Sequence, residues 1–448
     1  MTAGLPNWAT RFGFLMASAG FAVGLGNIWR FPYVTGENGG SAFVLVYLVC
    51  TVAMGVPILM AEIMLGRSGR AAPPGVFARL AGQQGRLWRW QWVGYLNLLT
   101  AFTIVCGYVV VAGWVLHYLG MGLRGTLVIR MPQFVDARFT ELLSDPFTLS
   151  GWMLAVLAVA GGIVYAGVGR GIERSVLLLM PLLFLLLLGL VGFNLMVGGV
   201  PAALDYLFRP DFSKFSAAML LAAVSQAFFS IGVAMAGMMM YGAYLPASVP
   251  VGRSALMIVL ADTGVALLAG LVIFPMVFHN GLDPAGGTGL IFQTLPVAFA
   301  QMPGGAVVAV VFFLLLAVAA VTSVVGFLEP LVVWLSTRFA CSRRRALALL
   351  LVAVALGAEL SVLGYNRWQD VVWLGQSVFW FVDFIPNQVL LPLGGLLIAV
   401  FAGWRLDPTI SRAALALPEV WQFRLWHKLM RFVVVPAVGL ILVTGIVA

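Results

Sequence analysis

Five acidic residues interrupt otherwise apolar stretches: Glu62, Asp262, Glu329, Glu359 and Asp383. A carboxylate in such a stretch is costly unless it is paired or faces a cavity, so each is a candidate for function. Glu62 and Glu329 read as internal hydrogen-bonding groups that tie two segments together. Asp262, next to Thr263, reads as a cation ligand. Carboxylate, hydroxyl and carbonyl oxygens suit a hard ion such as Na⁺, by extension of the rule for other hard cations. Thr322 and Ser323 form a hydroxyl pair within Ala319-Ala320-Val321-Thr322-Ser323. Taken alone, such a pair bonds back to the preceding helical turn. Cys50 and Cys106 sit in apolar runs as small hydrophobes, and with Cys341 they make no disulfide framework. His117, His279 and His427 are too scattered for a metal site. The sequence offers no nucleophile–base pair, which argues against a membrane enzyme.

Two segments are wrong for plain membrane anchors. The first reads Gly20-Phe21-Ala22-Val23-Gly24-Leu25-Gly26-Asn27-Ile28-Trp29-Arg30-Phe31-Pro32, with three glycines in seven residues before the Asn and the Arg. Glycines destabilise a continuous helix. Asn27 and Arg30 require a cavity or the protein interior rather than lipid. The second reads Ser225-Gln226-Ala227-Phe228-Phe229-Ser230-Ile231-Gly232-Val233-Ala234-Met235-Ala236-Gly237. Interrupted spans in corresponding positions of two halves point to a transporter site built on inverted repeats. Half-helix N-termini there offer free N–H groups and a positive dipole end to an anion, and unwound carbonyls can hold a cation.

The elements that must position these residues follow from composition. The chain has 448 residues, 62% hydrophobic and 9% charged, with mean hydropathy +1.05. Soluble domains carry roughly 25% charged residues, so a cytosolic enzyme, a disordered chain and a secreted disulfide scaffold are excluded. The +9 net charge forms short Arg clusters rather than a basic stripe with aromatics, so no nucleic-acid partner is expected. Apolar segments near 12–33, 41–65, 92–121, 150–168, 175–198, 217–243, 254–278, 304–336, 346–363, 371–402 and 431–447 predict eleven spans in an all-α polytopic membrane protein. With the N-terminus cytoplasmic, 18 of the 25 Lys and Arg residues fall inside and six outside, a strong positive-inside signal. The count includes Arg86 inside and Arg130 outside. Eleven spans put the C-terminus outside. Arg11 and Ala17-Ser18-Ala19 loosely mimic a signal peptide, but the apolar run continues into the glycine segment.

These residues resemble the neurotransmitter:sodium symporter family, whose bacterial amino-acid transporters define the LeuT fold. The resemblance rests on Trp8-Ala9-Thr10-Arg11, AVGLGNIWRFPYVTGENGGSAFVLVY (22–47), Gln226 to Ser230, DTGVALLAGLVIFP (262–275), GLIFQTLPVAFAQMPGG (289–305) and Ala319 to Pro330. It covers nearly the whole chain. It implies one transport domain over 1–448, with a 5+5 inverted repeat (about 8–198 and about 215–403), broken first and sixth spans, and an extra span at about 431–447.

The resemblance also implies ligands. The first sodium site would use the Ala22 carbonyl, Asn27, Ser230, Asp262 and the substrate carboxylate. The second would use carbonyls of Gly20, Val23 and Ala319 with Thr322 and Ser323, which gives the hydroxyl pair a role beyond back-bonding. The substrate carboxylate would meet Leu25, Gly26 and Tyr108, and its ammonium the carbonyls near Ala22, Phe229 and Ser230, with Ser323 close by. Monoamine members carry Asp where this chain has Gly24, so an amino acid is implied. Its side chain would lie among Val23, Ile104, Tyr108, Phe229, Gly232, Met235 and Phe327, an uncharged pocket for an apolar or aromatic group. Arg30 and Asp383 match the family's outer gate, with Phe229 as lid.

The chain departs from the family in two places. Leu5 and Thr337 replace the inner ion pair of some relatives, so inner closure would rest on Trp8 and Tyr244. Ala266 stands where chloride-dependent members place a hydroxyl, although Tyr47, Gln226 and Ser230 match the other chloride ligands. Transport without a chloride requirement is therefore expected. The implied function is sodium-coupled import of a neutral, apolar or aromatic L-amino acid across the cell inner (plasma) membrane, with two Na⁺ ions and membrane lipid as partners. A channel or sensor that binds the amino acid without concentrating it stays open, and the sequence sets no oligomeric state.

Overall fold

The computed structural model describes residues 5–82, 88–127 and 132–447; Arg86 and Arg130 lie outside these residues. Where the sequence stays apolar the chain is helical, because a backbone in hydrocarbon must satisfy its own N–H and C=O groups. Among the described residues nine helices are long and apolar enough to cross a membrane: Ser41–Gly69, Gln91–Leu123, Pro146–Tyr165, Val168–Val197, Val251–His279, Gly305–Arg338, Arg343–Gly364, Val378–Arg405 and Val420–Ile446. They occupy nine of the eleven expected spans. The first expected span is a pair of helices, Arg11–Ala22 and Gly26–Glu37, bent by 50°. The sixth is divided into Ala217–Ser230 and Gly237–Ala243.

Two boundaries differ from the sequence reading. The tenth span does not begin at 371. Val372–Trp373 and Gln376–Ser377 pair as an antiparallel hairpin, and Leu374 (φ 50°) and Gly375 (φ 81°) make its two-residue turn. Helix starts only at Val378, where the Ser377 hydroxyl accepts from the Trp380 N–H at 3.1 Å. Apolar composition alone does not separate such a hairpin from a helix end. The last span begins earlier than 431, because Val420–Leu429 continues into it through a π-helical turn at Met430–Val434. Trp426 Nε1 donates to the Pro57 carbonyl at 3.0 Å and fastens this helix to the second span.

Burial separates an inner set of spans from an outer one. The most apolar window of Gly305–Arg338 is 78% buried and that of Gln91–Leu123 is 67% buried, against 28% for Val168–Val197 and 22% for Val420–Ile446. The outer helices turn residues such as Leu178, Leu185 and Phe432 outward, as lipid contact requires. The two broken spans therefore meet the third and eighth spans in the interior.

Each break has a local cause. The first half-helix is capped by Thr10, whose hydroxyl accepts from the Gly13 N–H at 2.8 Å. Its ladder ends where Val23 N–H reaches the Ala19 carbonyl at 2.6 Å, and Val23 then turns extended (ψ 95°). Regular winding returns as a π-helical turn over Gly26–Arg30. In the sixth span Gly232, Ala234 and Ala236 all have positive φ (70°, 63° and 63°). For the two alanines this conformation costs roughly 1–3 kcal/mol each and persists only where neighbours enforce it. The Glu62 carboxylate is one such neighbour: it is fully buried and accepts from the Ala234 N–H. Glu62 thus ties the second span to the sixth.

Candidate functional site

The breaks bring Asn27, Ser230 and Asp262 together, all buried. Asn27 Nδ2 donates to Asp262 Oδ1 at 2.7 Å, to the Asp262 carbonyl at 3.0 Å and to Ser230 Oγ at 3.0 Å. Ser230 Oγ donates to Asp262 Oδ2 at 2.8 Å, and the Asn27 side-chain oxygen accepts from the Gly24 N–H at 3.2 Å. Asp262 has no ion pair among the described residues, where the pairs are Arg209–Asp205 and Arg343–Glu329. A buried carboxylate without a counter-charge is costly. A small cation held by these oxygens would supply that charge, and the donor set fits Na⁺. Ala22 ends the first half-helix, where the break begins. Tyr47 Oη, Thr51 Oγ1, Thr263 Oγ1 and Gln226 Oε1 are buried and have no hydrogen-bond partner among the described residues. Gln226 Nε2 donates to the Gly26 carbonyl at 3.1 Å.

A second group of oxygens joins the first and eighth spans. Ser323 Oγ donates to the carbonyls of Phe21 at 3.3 Å and Gly20 at 3.4 Å. Thr322 Oγ1 bonds back within its own helix, to Ala319 at 3.0 Å and Val318 at 3.1 Å. Thr322 thus makes the back-bond expected of a hydroxyl inside a helix, whereas Ser323 reaches across to the first span. A Cβ on Gly20 would sit 3.3 Å from Thr322 Cβ and 3.0 Å from Met180 Sδ, so the glycine permits this approach. Val23 is fully buried at the break.

Between the two groups lie the residues that the resemblance assigns to the substrate. Leu25 N–H donates to Tyr108 Oη at 3.1 Å. A Cβ on Gly24 would come within 2.6 Å of Ser323 Oγ and 2.8 Å of Tyr108 Oη, so a side chain there would force both hydroxyls to shift. A Cβ on Gly26 would stand 3.3 Å from the Phe229 ring. The Phe327 ring lies 5.7 Å from that of Tyr108 and 5.1 Å from that of Phe21. Ile104, one helical turn before Tyr108, and Met235, in the sixth-span break, are both buried. Phe21 is absent from the sequence-derived set. Its ring is seated on three glycines, where a Cβ would meet it at 3.3 Å (Gly232), 2.4 Å (Gly237) and 2.1 Å (Gly326). Only the fold brings those three glycines to one ring.

The two ends of the site differ. At one, Trp8 is buried. Its backbone N–H donates to the Tyr244 carbonyl at 3.1 Å and its Nε1 to the Tyr241 carbonyl at 3.0 Å. Its ring meets those of Tyr241 and Tyr244 edge-on at 5.3 and 6.0 Å. Packing of Trp8 and Tyr244 is not alone there. Tyr244 Oη donates to Glu329 Oε1 at 2.6 Å, and Arg343 grips the same buried carboxylate through both terminal nitrogens. Leu5 and Thr337 form no ion pair, and Thr337 bonds its own helix, but an ion pair does exist at this end. Arg343 begins the ninth span, and its sequence position gave no sign of this partner. Glu173 is a further unforeseen residue: it accepts from Ala9 N–H at 3.0 Å, Thr10 N–H at 3.1 Å and the Thr10 hydroxyl at 2.9 Å.

At the other end Arg30 and Asp383 form no ion pair among the described residues. The Arg30 guanidinium lies over the Phe229 ring, 4.4 Å from its centroid, and one terminal nitrogen is buried without a hydrogen-bond partner. Asp383 is exposed and accepts from Asn387 Nδ2 at 2.9 Å.

Comparison with known proteins follows this geometry. The model of the sodium:neurotransmitter symporter family matches residues 5–133 and 137–367. An uncharacterized sodium-dependent transporter of Haemophilus influenzae is 32% identical over 95% of this chain and 95% of its own length. One from Bacillus subtilis is 34% identical, over 95% and 94%. Among solved structures, MhsT in complex with L-phenylalanine matches with TM-score 0.90 at 38% identity, covering 99% of this chain and 100% of that one.

Proposed function

The chain belongs to the sodium:neurotransmitter symporter family, and we propose that it imports a neutral, apolar or aromatic L-amino acid with two sodium ions. As a member it is a sodium-dependent multi-pass membrane transporter of the LeuT fold, not an enzyme. The observation that carries the finer reading is the buried Asp262 carboxylate, bound by Asn27 and Ser230 and lacking a basic partner, beside a Gly24 where a side chain would force two hydroxyls to shift.

In this reading the first Na⁺ binds Ala22, Asn27, Ser230 and Asp262 together with the substrate carboxylate. The second binds Gly20, Val23, Ala319, Thr322 and Ser323. The substrate carboxylate also takes the N–H groups at Leu25 and Gly26 and the Tyr108 hydroxyl, and its ammonium the carbonyls at the sixth-span break. Because one ligand of the first ion belongs to the substrate, each raises the affinity of the other. The side chain rests on Phe21 and Phe327 under Phe229; phenylalanine in MhsT supports an aromatic or apolar occupant. Closure of Arg30 on Asp383 occludes the site from one side, and release opens the Trp8 end on the other. That end faces the cytoplasm of the inner (plasma) membrane, and the C-terminus lies outside. Asp262 supplies the negative charge that chloride supplies elsewhere, and Ala266 removes a chloride ligand, so uptake needs no chloride.

The test is uptake into proteoliposomes under an inward Na⁺ gradient, with each of the twenty amino acids as competitor. Apolar and aromatic amino acids compete, and the substrate accumulates against its gradient, unchanged when gluconate replaces chloride. Competition by charged amino acids alone would overturn the pocket. Binding without accumulation would make the protein a channel or sensor.

A further inference from the structure

A groove of about 550 Å³ lies on the membrane-facing side of the third span, apart from the central site. Its walls include Arg89, Trp90, Trp92, Tyr95 and Leu99 from the start of that span and Leu397 from the tenth. The volume falls within the roughly 300–1,000 Å³ range of small-molecule sites. Trp92 is 60% exposed and Leu99 49% exposed, so the groove is open to the bilayer. At its rim Arg89 is exposed and makes no ion pair or hydrogen bond among the described residues.

We propose that this groove binds one anionic phospholipid, with an acyl chain along Trp92, Tyr95 and Leu99 and the phosphate on Arg89. The dimensions fit. From Trp90 to Leu99 there are nine helical steps, about 13 Å of rise, close to half of the ~30 Å hydrocarbon core and hence one leaflet. Trp and Tyr are the residues that settle at the headgroup level, and an arginine fork matches phosphate geometry. Ordinary lipid-facing surface here is different. Val168–Val197 also begins with exposed arginines, Arg170 and Arg174, but beyond them it presents only aliphatic residues such as Leu178, Leu185 and Leu195, with no Trp or Tyr. An exposed cation over an aromatic-lined apolar channel of leaflet depth selects a ligand with one negative head and a long apolar tail.

The experiment uses the purified full chain, delipidated in detergent and then given equal amounts of phosphatidylglycerol and phosphatidylethanolamine. Retained lipid is counted by native mass spectrometry. The protein keeps one phosphatidylglycerol in preference to phosphatidylethanolamine. Arg89→Gln lowers that retention about fivefold, the equivalent of the ~1 kcal/mol carried by one cation near a membrane surface. Leu99→Trp fills the channel and removes both lipids. Arg253→Gln, an exposed cation elsewhere, changes nothing. Sodium-dependent substrate binding in each variant reports folding, and Arg89→Gln decides alone if Leu99→Trp does not fold. Equal losses in Arg89→Gln and Arg253→Gln, equal retention of the two lipids, or no retained lipid would overturn the proposal.

Discussion

At the Trp8 end of the central site a buried carboxylate, Glu329, is shared by a tyrosine and an arginine, and an indole is sealed under two more tyrosine contacts. At the Arg30 end the corresponding cation and carboxylate stand apart, one over an aromatic ring and the other exposed. Both ends use the same chemistry of arginine, carboxylate and aromatic ring. They differ in the burial of the carboxylate, complete for Glu329 and absent for Asp383. Charges out of water interact strongly but must be paired, whereas exposed charges are screened and free to separate. In this conformation a buried ion pair ties the Trp8 end, and no such pair joins Arg30 to Asp383. A transporter needs that asymmetry, because opening both ends at once would dissipate the gradient that drives it.

The comparison can be broken by mutation. Arg343→Ala has the largest expected effect. It leaves Glu329 buried with only Tyr244, a loss of about 3 kcal/mol, seen as a lower unfolding temperature in detergent and as greater solvent access at the Trp8 end. A wild-type unfolding temperature would show that the pair does not hold that end. Gly24→Ala acts between the ends. Forcing a methyl against Ser323 and Tyr108 costs about 1–3 kcal/mol, so amino-acid affinity measured by scintillation proximity falls roughly tenfold. Unchanged affinity would place the substrate elsewhere. Glu173→Gln removes the charge from three hydrogen bonds to the start of the first half-helix and costs ~1 kcal/mol, with substrate affinity unchanged while the Trp8 end opens more readily. The smallest stability effect belongs to Asp383→Asn. It shifts unfolding by no more than ~0.5 kcal/mol, yet slows uptake because the Arg30 end closes less well. A stability loss as large as that of Arg343→Ala would erase the difference between the two ends.

Much of this was legible in the sequence. Nine spans follow from apolar run length, and both breaks from glycines beside polar residues. Asn27, Ser230 and Asp262 were grouped by resemblance, and the fold puts them within hydrogen-bonding distance. What escaped were contacts made across the fold. Phe21 looks like any apolar residue until Gly232, Gly237 and Gly326 are brought around it. Arg343 belongs to a three-arginine run that reads as a topology signal, and only the return of the ninth span delivers it to Glu329. Glu173 lies far along the chain from the N–H groups that it accepts from. The hairpin at Val372–Ser377 was hidden because its first strand and Leu374 continue the apolar run that leads into the tenth span.

The central claim is that one sodium ion and the substrate complete each other's shell at Asp262. The direct test is equilibrium binding of labelled amino acid across a sodium titration, paired with sodium affinity across an amino-acid titration, for wild type and Asp262→Ala. The account predicts that in the wild type each ligand raises the affinity of the other by the same factor, and that Asp262→Ala removes the sodium dependence. Sodium-dependent binding that survives Asp262→Ala unchanged would contradict it.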